Sequence, residues 1–312
     1  MSKRLACVAL CGILLLSYSS TTSQGQATFT SSIDVVHVPV TVLDPGGRFV
    51  TGLGRDDFDV FEDNVRQPVQ VFTAEAIPVS AGVLLDGSNS MKGRRIADAL
   101  EALRQFVQDG LAPGDQAFVM EFAGIPRLLQ GWTEKSMLDA STLGVRIGGG
   151  TPMFETLTRA VAELSTARHV RRVLMLITDG NATDEWLSPG TTTNWPYKAR
   201  VALERSEALL YAVGIDSPPA DRIEPAMAKP VDVATLQRFT DTTGGYTEIV
   251  KSSADLPQAV RRISEELKRQ YLLGYESSKA HDGRLHSIRV EVHRSGCRVR
   301  ARRVFLAADR AR

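Results

Sequence analysis

The sequence predicts an α/β protein: a doubly wound, mostly parallel sheet joined to a small β module formed by both terminal regions. Three observations lead there. Between Ile77 and Val250, short apolar runs alternate with segments of helical spacing, the pattern of a parallel sheet with helices on both faces. Stretches rich in valine, with turn residues between them, flank that region on both sides. Acidic and hydroxyl residues stand where apolar runs end, and open α/β sheets collect ligands at the carboxyl ends of their strands.

The first segment is not expected to belong to the fold. Lys3 and Arg4 precede an apolar stretch from Leu5 to Leu16, and polar Ser and Thr residues follow as far as Gln26. That order describes a secretory signal, assigned to residues 1–26. The run is shorter than the roughly 20 residues of a membrane-spanning helix, so no stable transmembrane segment is expected after cleavage. The expected location is secreted, periplasmic or associated with the cell envelope. Cys7 and Cys11 lie within this segment. A lipid anchor on Cys11 would require a small residue where Leu10 stands. Cys297 alone would remain, which excludes an internal disulfide and suggests a thiol packed among apolar neighbours.

Residues 27–76 read as an N-terminal β segment. Val35, Val36, Val38, Val40 and Val42 are β-branched, Asp44-Pro45-Gly46-Gly47 marks a turn, and Asp57 to Asn64 alternates polar with apolar residues. Residues 77–252 carry the main domain. Strands are expected at Val79–Leu85, Ala117–Phe122, Val173–Ile177 and Leu209–Ile215, with helices at Ile96–Val107, Phe154–Leu164 and around Leu236–Thr240. Residues 253–312 open with a helix near Asp255–Arg269, with Leu256, Val260, Ile263 and Leu267 on one face. Tyr271–Tyr275, Ile288–Val292 and Val299–Leu306 then read as strands that pair with those between Ile33 and Phe72. Arg298, Arg300 and Arg302 alternate along the last of them and read as a solvated outer face.

Composition limits the function classes. The 312 residues are 43% hydrophobic and 23% charged, with a net charge of +1. Such a balance provides no global field for nucleic acid. The five histidines show no metalloprotease spacing, and Gly87-Ser88-Asn89-Ser90 lacks the second glycine of a nucleophile elbow. No phosphate-binding Gly-x-x-x-x-Gly-Lys is present. An enzyme is therefore not expected.

The chemistry concentrates in three stretches. Asp86-x-Ser88-x-Ser90 follows one apolar run, Thr151 follows Gly148-Gly149-Gly150, and Asp179 ends the run from Val173 to Thr178. Brought to one sheet edge, these two carboxylates and three hydroxyls form a set of hard oxygen ligands. Such a set suits Mg²⁺, Mn²⁺ or Ca²⁺ rather than zinc. Gly87 and the glycines before Thr151 leave room for close backbone approach. Water or an outside ligand must complete the shell.

In order and spacing, these elements resemble the metal-ion-dependent adhesion site of von Willebrand factor type A domains, which have a Rossmann-like fold. The resemblance implies that Ser88, Ser90 and Thr151 bind the metal directly, while Asp86 and Asp179 act mostly through water. It implies a protein partner that presents Asp or Glu to the metal, with a glycan as a further possibility. The flanks are similar to bacterial exported proteins with the VWFA-related Acidobacterial domain. That similarity rests on Asp57-Phe58-Asp59-Val60-Phe61-Glu62-Asp63 and on Tyr271-Leu272-Leu273-Gly274-Tyr275. Arg303-Val304-Phe305 departs from the family, where Gly followed by aromatics is expected.

The expected function is divalent-cation-dependent protein binding or adhesion. The alternatives are an envelope scaffold whose metal site is structural or idle and, further off, a metal-dependent hydrolase. Trp186, Trp195 and Tyr197 lie in a polar insertion after Asp179. They are either a rim that anchors the partner or a cover for the loop's own apolar base. The stretch from Asp216 to Asp232 is a second candidate rim.

Overall fold

A computed structural model describes residues 35–184, 193–216, 230–279 and 282–307. The predicted signal segment, Trp186 and most of the stretch from Asp216 to Asp232 lie outside these residues.

The module comes first in the chain. Strands β1 (Val35–Leu43), β2 (Phe58–Glu62), β3 (Val65–Gln67) and β4 (Val71–Thr73) precede the main domain. The domain then runs through β5 (Val79–Asp86), α1 (Arg94–Gln105), β6 (Gln116–Ala123), β7 (Ile125–Glu134), α2 (Met153–Leu164) and β8 (Arg171–Thr178). It continues with α3 (Trp195–Arg205), β9 (Ala208–Ile215), α4 (Val233–Thr243), β10 (Thr247–Val250) and α5 (Leu256–Leu267). Strands β11 (Tyr271–Glu276), β12 (Leu285–Val292), β13 (Arg298–Ala301) and β14 (Val304–Leu306) return to the module.

The main sheet has six strands in the order β10-β9-β8-β5-β6-β7, parallel except for the antiparallel edge strand β7. It is the α/β doubly wound architecture that the alternating pattern predicts. All eight residues of β5 and of β9 are buried, because helices cover both faces. Alternate residues serve opposite cores. Val83 and Leu85 pack with Leu103 of α1 and Ile263 of α5, whereas Leu84 packs with Leu157 of α2 and Phe239 of α4. Strand β7 went unread in the sequence. Its order Ile125-Pro126-Arg127-Leu128-Leu129-Gln130 breaks alternation, and its pairing with β6 is irregular near Val119.

The module consists of two four-stranded sheets, β13-β1-β11-β4 and β14-β12-β2-β3. They share one core containing Val38, Val40, Phe58, Val60, Leu273, Tyr275, Ile288 and Phe305. The Tyr271 hydroxyl accepts from Leu53 N–H at 3.1 Å and donates to Val50 O at 3.0 Å, which ties the loop after β1 to β11. Cys297 is half-buried against this core.

Two readings of the last strands need correction. Val299–Leu306 is not one strand: β13 and β14 belong to different sheets, and the chain crosses between them at Arg302. Nor do the alternating arginines form a solvated face. Arg298 is exposed, but Arg300 meets Glu266 and Arg302 is buried. Alternation along a strand reports which residues share a face, not whether that face meets water.

A buried polar network joins the module to the domain. Glu266 of α5, 1% exposed, accepts from Thr41 of β1 at 2.9 Å and from the Tyr211 hydroxyl of β9 at 3.1 Å, and it pairs with Arg300 of β13. Gln270 donates to Thr41 and Tyr211 and accepts from Arg171, whose guanidinium also reaches Ile77 O and Leu267 O. Burial pushes the Glu266 carboxyl up, against the pull of Arg300 and the two hydroxyls. A second pair closes the far side of the module. His286, also buried, contacts Asp63 at 2.7 Å and Asp282 at 3.0 Å. Burial opposes its charge, but the bonds to the two carboxylates prevail and hold the imidazole above its ordinary pKa. Asp63 is held below the usual carboxylate range by His286 first and Lys279 second.

Two outcomes are expected. Glu266→Ala strands Arg300 and two buried partners, and should lower stability in urea unfolding by about 3–5 kcal/mol, more than Glu266→Gln does. For His286 the raised pKa means the stabilisation is complete below about pH 6.5 and lost as pH rises through the folded value. The stability gap between wild type and His286→Gln, read from denaturant midpoints, should therefore be widest near about pH 5 and shrink at alkaline pH. A gap that does not change with pH would exclude the charged pair.

Candidate metal centre

The adjacency of β5 and β8 determines where the two predicted aspartates lie. Leu85 pairs with Ile177, so Asp86 ends β5 beside Thr178, and Asp179 follows on the next position. The Thr178 hydroxyl donates to Asp86 Oδ2 at 2.6 Å, and Ser88 N–H donates to Asp86 Oδ1 at 2.8 Å. Both oxygens of Asp86 thus accept before any ion is considered. The Ser88 and Ser90 hydroxyls lie 3.0 Å apart on the turn that follows.

Thr151 is brought in by its glycines. Gly148 N–H donates to Gly87 O at 2.9 Å, Gly124 N–H donates to Gly150 O at 2.8 Å, and Thr151 N–H donates to the Thr183 hydroxyl at 2.8 Å. The loop therefore hangs between the serine turn and the segment after Asp179. A side chain at Gly149 (φ +69°) would put Cβ 2.7 Å from Gly124 Cα, and one at Gly87 would meet Arg146 O at 2.4 Å. Neither approach survives a methyl group.

The electrostatics are strained. Asp86, Ser88, Thr151 and Asp179 are all buried. Burial first, and then the charge of Asp179, push the Asp86 carboxyl up to about 6. Asp179 Oδ1 is buried without a hydrogen-bond partner, while its Oδ2 lies 3.6 Å from Arg95 Nη1. Among the described residues, the Thr151 hydroxyl makes no hydrogen bond. Two buried carboxylates, an orphaned oxygen and three hydroxyls form a donor set that fits a divalent cation.

Some contributors escape a reading based on the motifs. Arg95, buried at the start of α1, also donates to Ser90 O at 3.1 Å. Only its position after Ser90 would have signalled it. Thr183 and Asp184 are the anchors on the far side: Asp184 accepts from Glu155 N–H at 2.8 Å and so caps α2 just beyond Thr151.

The aromatic residues divide. Trp195 and Tyr197 lie on the first turn of α3 rather than in a loop, with Asn194 Oδ1 accepting from Tyr197 N–H at 3.0 Å and Pro196 inside the first turn. Trp195 packs partly against the core, and Tyr197 is 56% exposed. Trp186 lies outside the described residues.

The module holds a second set of ligand-type groups, Glu62, Asp63 and His286, with one donor atom from each within 4.8 Å of the others. That spacing could hold a metal. Two of its members are already engaged: Lys279 Nζ is 2.6 Å from Asp63 Oδ2, and both imidazole nitrogens face carboxylates, whereas Glu62 accepts from Ser277 at one oxygen and its Oε2 is buried without a partner.

Comparison with known proteins agrees with the main-sheet geometry. Residues 83–181 match the von Willebrand factor type A domain. A solved von Willebrand factor type A protein from Catenulispora acidiphila is 13% identical and superposes with a TM-score of 0.51, covering 90% of this chain and 74% of that one. At that identity the likeness shows the fold. The conserved hypothetical protein BatB from Bacteroides thetaiotaomicron is 19% identical, with a TM-score of 0.44 over 61% of this chain and 97% of that one. The vWF domain of the type V pili tip protein Mfa5 from Porphyromonas gingivalis is 15% identical, with a TM-score of 0.44 over 62% and 95%. No curated protein matches the chain. From Val83 to Asn181 the family match falls on β5, β8 and the loops that carry Asp86, Thr151 and Asp179, and the chain carries a von Willebrand factor type A domain.

Proposed function

We propose that this is an exported binding protein whose von Willebrand factor type A domain recognises an acidic group on a protein partner through a bound divalent cation, with Mg²⁺ or Mn²⁺ the expected ion and Ca²⁺ a further candidate. Ser88, Ser90 and Thr151 would hold the cation directly, with Asp86 and Asp179 balancing its charge. The observation behind this reading is the Asp179 carboxylate, buried beside a second buried carboxylate with one oxygen unpartnered. A buried acid in that position costs several kcal/mol unless a cation answers it. A divalent cation together with Arg95 would outweigh the two carboxylates, so the edge would attract an Asp or Glu side chain. The ion supplies an electrophilic position for that carboxylate; the chain's own residues orient and desolvate it. Export rests on Lys3, Arg4 and the apolar stretch behind them. The resemblance to the Acidobacterial domain proteins fits that location.

Arg95 favours a second reading. Its guanidinium near Asp179 partly answers the acid without any ion, which suits a scaffold with an idle site, making its contacts through the module. A catalyst is not proposed; turnover of an ester or phosphate substrate that Asp86→Ala abolishes would replace both readings.

Calorimetric titration of Mg²⁺ and Mn²⁺ into the chelator-stripped protein separates the two. One saturable site is expected, lost in Asp86→Ala and in Thr151→Ala while both remain folded. A folded wild type that takes up neither ion supports the scaffold. Asp179→Asn removes the repulsion of Asp86 but also the acid beside Arg95, and should lose ion binding while remaining folded. Gly87→Ala should weaken ion binding by displacing the loop at Arg146, with circular dichroism unchanged.

A further inference from the structure

A cleft of about 500 Å³ opens at the opposite end of the main sheet, where α2, α3 and the start of β8 meet the module at β14. Arg172 lines it near the start of β8, and Asp179 follows the end of that strand. At about 3.3 Å per residue the cleft lies roughly 20 Å from the proposed ion position. It is therefore not part of that site.

Three arginines face this space: Arg172, Arg205 and Arg302. Arg302 is 5% exposed. Its Nε donates to Val304 O at 2.7 Å and its Nη2 donates to Ser206 O at 3.0 Å, but Nη1 is buried with no partner. Arg172 Nε is likewise buried and unpartnered. Among the described residues, none of the three forms an ion pair. Among the described residues, Glu207 is the only carboxylate lining the cleft. The remaining wall is largely apolar, formed by Val161 and Leu164 of α2 and Phe305 of β14.

A guanidinium held out of water with an unused N–H is costly, and such groups ordinarily find an acceptor. The two backbone carbonyls fix the plane of Arg302, and Glu207 answers part of its charge without bonding to it, but Nη1 keeps an unused N–H. The planar donor edge that remains matches an oxyanion. The volume is within the range of small-molecule sites, and the apolar wall suits a ligand that is only partly polar.

We propose that this cleft is a second binding site, for an oxyanion carried on an apolar group. The oxyanion would meet Arg302 Nη1 and Arg172 Nε, with Arg205 at the exposed mouth. The apolar part would lie against Leu164, Val161 and Phe305. A carboxylate and a phosphomonoester share this chemistry.

Three probes titrated into the mature protein with chelator present, followed by amide chemical shifts, test the assignment. N-acetyl-L-leucine presents a carboxylate, hexyl phosphate presents a phosphomonoester, and N-acetyl-L-leucinamide is the neutral control. At least one anion should bind saturably at one site with shifts around Arg172 and Arg302, and the amide should not. The anion that binds identifies the source. Arg205→Glu should weaken that binding about tenfold at an unchanged unfolding midpoint. Arg302→Met should abolish it where the variant folds; the Arg205 variant and the neutral probe keep the test decisive where it does not. Failure of both anions to saturate, equal binding of the amide, or indifference to Arg205→Glu would overturn the proposal.

Discussion

The Glu266 carboxylate is the constraint on which the arrangement of this chain depends. It sits on α5, faces the main sheet through Tyr211, and reaches both the first strand through Thr41 and a late strand through Arg300. Each contact alone would be modest, because a hydrogen bond nets about 1 kcal/mol in folding. Together they fix the position of the module relative to α5, since a buried charge tolerates no slack in its partners. Arg171 and Gln270 extend the same network to the residues just before β5 and just after α5. The two chain segments that leave the domain for the module are thus secured at the point where they part.

The other end of the main sheet follows the opposite rule. There, two acids are buried close together, one carboxylate oxygen goes unanswered, and the Arg95 guanidinium stands 3.6 Å from the other oxygen of the same acid. Residues that break the ordinary pairing rules in a well-packed domain concentrate where a protein binds something. Here the break is held in place by close backbone contacts, Gly148 on Gly87 and Gly150 on Gly124.

Much of this was legible in the chain. Runs such as Val173–Ile177 and Leu209–Ile215 read as buried strands because helices cover both sheet faces, and burial on two sides erases alternation. Asp86 and Asp179 were legible for a related reason, since strand ends are marked by the change from apolar to polar residues; Thr151 ends no strand but precedes α2, and only its three glycines marked it. What stayed hidden depended on distant partners. Arg95 reads as one more surface arginine in Lys92-Gly93-Arg94-Arg95 until α1 turns it inward. Arg302 reads as exposed by its alternation with Val299 and Ala301, and only the crossing between sheets buries it. The start of α3 carried a local signal: Asn194 followed by Trp195-Pro196 is a capped helix start, masked by the polar stretch before it.

The order of the strands also sets a schedule for synthesis. Strand β1 lies between β11 and β13, so both of its neighbours come from the last part of the chain. The main domain, by contrast, has every strand it needs once β10 has emerged. At about 5–20 residues per second, β1 waits on the order of ten seconds or more before a partner exists. Throughout that interval a valine-rich strand has both edges unpaired, the condition under which strands join the wrong chain. Val35 to Leu43 is therefore the segment that a holding chaperone has most reason to cover while the protein is being made.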